Sequence, residues 1–115
     1  MENTVLENVL IEKDRQLKIW GEQNHPCIDQ TLLNREGSCT PKRMAEHYEL
    51  PTEDRAKQLL ENALAINQLT YAHIALEELC EVVGEFDPVK RKLELEQLAA
   101  VCINWAEKIE RDLKQ

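Results

Sequence analysis

The stretch "EELCEVVGEFDPVKRKLELEQ", Glu77 to Gln97, decides the fold. Its first part belongs to a run with apolar residues at Ala72, Ala75, Leu76, Leu79, Val82, Val83 and Phe86. At about 100° per residue, Glu77, Glu78, Glu81 and Glu85 fall within roughly 100° of one another on a helix. The acids form a narrow stripe between apolar flanks, whereas an ordinary solvent face is wider and mixes in lysines. Asp87 and Pro88 then open a second helix, with aspartate at the N-cap and proline in the first turn. On it, Glu94, Gln97, Val101, Asn104 and Trp105 lie along one side, with Lys90 and Lys108 beside them. Its apolar stripe is expected to run through Leu95, Leu98, Ala99, Cys102, Ala106 and Ile109. The joint "GEFDP" is short, so the two helices should pack antiparallel, with both oxygen-bearing stripes on one cleft.

Like charges four residues apart on a helix repel by a few tenths of a kcal/mol. Glu77/Glu81 and Glu81/Glu85 are such pairs, with no basic residue between them. Something cationic should offset them, either lysine and arginine from elsewhere or a divalent metal. Carboxylate and amide oxygens suit a hard cation such as Mg²⁺ or Mn²⁺. The competing reading is a solvated acidic surface, since glutamate is a good helix former. Other metals fit less well. Di-iron bundles use Glu-x-x-His on helices, and here that pattern occurs at Glu22 to His25, in a loop ended by Pro26. No cysteine–histidine cluster has zinc-ligand spacing.

Outward from this pair, the same signals recur. Thr70 is the expected N-cap of "YAHIALEELCEVVGEF", Thr52 of the preceding helix, and Thr40 of "PKRMAEHYEL", where Pro41 takes the first helical position. A first helix is expected from about Asn3 to Trp20, with Val5, Val9, Leu10, Leu17 and Trp20 as a broken apolar stripe and Gly21 near its C-cap. A short helix is expected around Asp29 to Arg35. Strand patterns are absent. The expected fold is an all-α bundle forming one domain over residues 1–115, with its two longer helices at the C-terminal end.

Composition agrees. The chain has 115 residues, 43% of them hydrophobic, with only three glycines and four prolines, which argues against an all-β fold. The net charge of −8 disfavours a protein that coats nucleic acid polymers. There is no apolar run long enough to cross a membrane, and "MENTVLENV" lacks a basic export signal, so a cytoplasmic location is expected. Four cysteines, with no C-x-x-C pair, read as reduced thiols; Cys80 and Cys102 fall among apolar helical positions.

"EELCE", the twelve residues 82–93, and "ELEQ" resemble the bipartite E-E-x-x-E…E-x-x-D signature of the MazG-like all-α nucleoside triphosphate pyrophosphohydrolases. "EQLAAVCINW", "RQLKIWGEQNHP" and "TYAHIALEELCE" are similar to the branch found in bacteria and their phages, so the likeness covers nearly the whole chain. It implies that Glu78, Glu81, Glu94 and Gln97 hold Mg²⁺, with Mn²⁺ as a substitute, at a nucleoside triphosphate. Glu77 matches the leading acid, which orients water or a partner base, and Asn104 matches an asparagine near the nucleotide. The implied reaction is hydrolysis between the α and β phosphates, giving a nucleoside monophosphate and pyrophosphate, with Glu77, Glu78 and Glu81 as catalytic residues. A homodimer or homotetramer is implied, and a chain with only two long helices also looks short of core. One departure stands out. The family has aspartate where this chain has Gln97, whose amide oxygen can bind Mg²⁺ but brings no charge.

Around the site, "KIWGEQNHP", Lys18 to Pro26, collects a flat ring and several hydrogen-bonding groups. Trp20 can stack on a base, Gln23 and Asn24 can read its edge, and His25 can serve sugar or phosphate. In the plainer reading Trp20 anchors the core and the rest turns the chain. Tyr71 is a candidate ring for the nucleotide pocket, and Lys90, Arg91 and Lys92 are candidate phosphate contacts or a solvated basic turn. Trp105 reads as packing, His73 as a capping contact beside the stripe, and His47 as surface. Two further readings use the same residues differently: a nucleotide or alarmone sensor that has lost catalysis, and a helical interaction module.

Overall fold

The computed structural model describes residues 4–29 and 40–115, which form five helices and no strand. These are α1 (Val5–Trp20), α2 (Pro41–His47), α3 (Glu53–Ala65), α4 (Tyr71–Gly84) and α5 (Pro88–Leu113). The fold is all-α. The helix expected around Asp29 to Arg35 lies almost wholly outside the described residues.

Four of the five N-termini are closed by the residue that the sequence marks. Thr40, Thr52 and Thr70 accept hydrogen bonds from the backbone N–H three residues on, and the Asp87 carboxylate accepts from Val89 N–H at 2.9 Å. Such caps satisfy donors that have no partner within the helix. α1 begins two residues later than expected, at Val5, because Thr4 takes the cap by accepting from Glu7 N–H at 3.1 Å. Gly21 closes α1 at φ 68°, a value open to glycine, and donates its N–H to Leu17 C=O at 2.8 Å.

α4 lies at the centre, packed against α2, α3 and α5, while α1 packs against α5. The core sits where α2 and α3 meet α4. It comprises the fully buried Met44 with Ala45, Ala56, Ala63, Cys80 and Val82, joined by Ile28 from the loop after α1. The residues are mostly small, so α4 approaches its neighbours closely. Gly84 is part of this, since a Cβ there would lie 3.6 Å from the Pro41 side chain and 3.9 Å from a Glu53 carboxylate oxygen. The loop after α1 is tied to α2: Asp29 N–H donates to the Tyr48 hydroxyl at 3.0 Å, and the Asp29 carboxylate pairs with His47 Nε2 at 3.0 Å.

Two expectations about faces are corrected. α1 has no buried residue; its apolar stripe is exposed, Trp20 included, so Trp20 is not a core anchor. On α5 the side turned inward carries Arg91, Glu94, Leu98 and Val101, while Leu95, Ala99, Cys102 and Ile109 of the expected core stripe are exposed.

Candidate functional site

The acids of α4 and α5 are less exposed than several leucines. Glu77, Glu78 and Glu81 on α4, Glu85 at its C-cap and Glu94 on α5 are all half-buried, and helix periodicity groups the first three on one side. Within this group one Glu78 oxygen (Oε2) and one Glu94 oxygen (Oε2) are shut off from solvent and have no hydrogen-bond partner among the described residues. Buried charge without a partner is costly, so the acids hold on to protons. Burial raises the Glu78 carboxyl, helped by the charge of Glu77. Burial first, then the charges of Glu78, Glu77 and Glu53, push Glu81 up to about 7. Glu94 is raised by burial and by Glu85, Glu53 and Glu78, against the opposing effect of Arg91.

Glu53 is the residue that sequence reasoning missed. It opens α3, where its acidic side chain reads as a favourable first-turn residue. The packing of α3 on α4 nonetheless brings its charge to bear on Cys80, Glu81 and Glu94. No spacing in the sequence links it to the motif, because it comes from a separate helix. Cys80 is buried, and its thiol is raised by burial and then by Glu53 and Glu81, which leaves it protonated and unreactive.

The basic residues at the start of α5 divide their roles. Arg91 donates from Nε to Val82 C=O at 3.3 Å and from Nη2 to Glu85 C=O, so it clasps the C-terminal end of α4. Lys92 pairs with Glu96 at 3.0 Å on the surface. Lys90 is exposed and unpaired among the described residues, which leaves it available to an anion. At the other end of the α4–α5 seam, Tyr71 and Trp105 lie nearly parallel, with ring centroids 6.1 Å apart and an interplanar angle of 11°. His73 is occupied locally: its Nδ1 accepts from Thr70 N–H at 3.1 Å in a capping box.

Other expected site residues stand apart from this cluster. Gln97 and Asn104 are exposed on α5, and neither side chain makes a hydrogen bond among the described residues. Gln23, Asn24 and His25 are exposed in the loop after α1. Trp20 is exposed too, and its ring faces the Arg15 guanidinium at 6.0 Å. Among the described residues none of these side chains hydrogen-bonds to a carboxylate of the cluster.

A cation is a chemical fit to the two orphaned carboxylate oxygens and their acidic neighbours. The fit is partial: among the described residues no three carboxylate, imidazole or thiol groups are arranged as a metal ligand set. No helix among them is long and apolar enough to cross a membrane. Comparison with protein families, with curated proteins and with solved structures finds no match to the chain.

Proposed function

We propose that the protein is a metal-dependent nucleoside triphosphate pyrophosphohydrolase of the MazG-like type. One observation carries this reading: Glu78 and Glu94, on neighbouring helices, bury carboxylate oxygens that nothing among the described residues satisfies. Arg91, whose charge acts on Glu94, is engaged with main-chain carbonyls. A structural ion-pair network would have placed an arginine or lysine against these oxygens. Their exposure to one another suits a guest that carries positive charge.

In this reading Glu78, Glu81 and Glu94 hold Mg²⁺ or Mn²⁺, and Gln97 contributes an amide oxygen from the rim. When bound, the metal supplies an activated water and neutralises charge on the phosphates. Glu77, at the edge of the acidic stripe, orients that water. Lys90 receives the phosphate tail. Tyr71 flanks the nucleotide, and Asn104 hydrogen-bonds to it. Trp20, Gln23, Asn24 and His25 recognise the base, reaching a cleft other than the one their own α1 packs beside.

The test is pyrophosphate release from each nucleoside triphosphate with Mg²⁺ and with Mn²⁺, alongside nucleotide binding with and without metal. The expected result is release that requires metal and is lost in Glu81→Gln. Absence of both release and metal-dependent binding would rule the reading out. A second reading, a sensor that binds nucleotide without turnover, is favoured by the exposed Gln97 standing where an acid would add charge; it predicts metal-dependent binding with no release.

A further inference from the structure

The segment Glu22–Cys27 is exposed throughout and makes no hydrogen bond among the described residues. A stretch of that kind takes its shape from its two ends. One end is fixed by the Gly21 cap on α1. The other is fixed on α2. Ile28 is buried in the core, Asp29 N–H donates to the Tyr48 hydroxyl at 3.0 Å, and the Asp29 carboxylate meets His47 Nε2 at 3.0 Å. The holder is itself anchored. Tyr48 is the C-cap residue of α2 and donates its N–H to the C=O of the fully buried Met44 at 3.2 Å. Its ring stands edge-on to that of His47, with centroids 4.8 Å apart. The chain then turns back at Leu50, whose N–H donates to Ala45 C=O at 2.9 Å, another core residue.

A loop that reads a ligand loses affinity for every residue it must order on binding, and holding it in place beforehand removes that cost. Trp20, Gln23, Asn24 and His25 lie on the tethered stretch or at its edge, and none of them makes the tether. Fixing the far end therefore strengthens binding without adding a contact to the ligand. We infer that His47 and Tyr48 are positioning residues: they latch the segment after α1 onto the core through Asp29, and so set nucleotide affinity without touching the nucleotide. The inference rests on the reading of Trp20, Gln23, Asn24 and His25 as the groups that recognise the base. Nothing in the acidic motif points to either residue, and in the sequence His47 reads as plain surface. The latch exists because α2 brings two polar side chains from one helix end against a single aspartate of another segment.

The full chain tests it by amide hydrogen exchange, together with nucleoside triphosphate binding and pyrophosphate release in the presence of Mn²⁺. Tyr48→Phe removes the hydroxyl, His47→Ala removes the ring, and His47→Gln keeps an N–H near the place of Nε2. Tyr48→Phe and His47→Ala should each speed exchange at Ile28 and Asp29 by about fivefold, the worth of one hydrogen bond. Amides of α4 should keep their protection, which a general loss of the fold would not allow. Nucleotide affinity should fall by about the same factor, as a raised KM at unchanged kcat, or as a raised Kd where there is no turnover. His47→Gln should stay close to wild type in both measurements. Unchanged exchange in Tyr48→Phe and His47→Ala would overturn the latch, as would faster exchange with undiminished affinity, or a His47→Gln as weak as His47→Ala. A wild-type chain that binds no nucleotide would instead overturn the functional reading, and the exchange comparison then decides the latch alone. If His47→Ala fails to fold, Tyr48→Phe, which loses a single oxygen, decides it.

Discussion

Glu81 has its carboxyl pushed up to about 7, against 4.5 for an ordinary glutamate, by burial and by three neighbouring acids. A raised acid favours the fold in its protonated form. Its contribution is full below the unfolded value of about 4.5 and is lost as pH rises through about 7. The burial-driven rises at Glu78 and Glu94 act in the same direction. The metal-free protein should therefore melt at lower temperature near pH 8 than near pH 5. Glu81→Gln should flatten that profile and stabilise the protein near pH 8 by about 1 kcal/mol, a figure reduced for the side chain's partial exposure. Thermal melts in the presence of a chelator check both, and a profile unchanged by the substitution would contradict the account. Glu53→Gln should move the same transition to lower pH, since it removes one of the charges acting on Glu81 and Glu94. Adding Mg²⁺ or Mn²⁺ near neutral pH should raise the wild-type melting temperature, because a ligand of the folded state stabilises it, and should do so less in Glu81→Gln.

At the scale of elements, the beginnings of helices were legible and their ends were less so. Thr40, Thr52, Thr70 and Asp87 carry the cap in their own side chains, within reach of the backbone they satisfy. Two C-termini close without glycine. After α2, Glu49 takes φ 55° while Leu50 N–H donates to Ala45 C=O at 2.9 Å. After α3, Asn67 takes φ 57° while Gln68 N–H donates to Ala63 C=O at 2.8 Å. Both are Schellman closures, which normally place glycine or asparagine in the left-handed position. Asn67 conforms to that preference, and Glu49 bears a strain of about 1 kcal/mol. Glu49→Gly should relieve it and raise the melting temperature by a few degrees; a fall would show that the Glu49 side chain has a stabilising role of its own. Arg91→Met should cost about 1.5–3 kcal/mol, because it removes charge-assisted hydrogen bonds that hold the α4–α5 joint and leaves two carbonyls unserved. Chemical denaturation measures that loss.

The molecule as a whole is open. Its radius of gyration is 16.9 Å, against roughly 13 Å for a compact chain of this length, and it measures 54 × 46 × 22 Å. Its core is built of small side chains on α2, α3 and α4, whereas its larger apolar residues lie outside on α1 and α5. The family likeness implies pairing, and the melting temperature should then rise with protein concentration, as it does for proteins whose folded state is a dimer. A melting temperature constant over a hundredfold range of concentration would show that the single chain is sufficient.

Helical identity and the acidic stripe of α4 are legible in the residues alone. Both rest on interactions within three or four residues: caps, backbone hydrogen bonds and the 3.6-residue period. Glu77, Glu78, Glu81 and Glu94 could be named as a group because two helices and one short joint leave them few other arrangements. Which side of each helix turns inward depends instead on how the helices pack. α5 has apolar residues over much of its circumference, so periodicity alone could not show that Glu94, Leu98 and Val101 face α4 while Leu95, Cys102 and Ile109 face out. Glu53 joined the site for the same reason, through the packing of α3 on α4, which no local signal encodes. A helix carries its conformation in its own residues, but the face it buries is set by whatever packs against it.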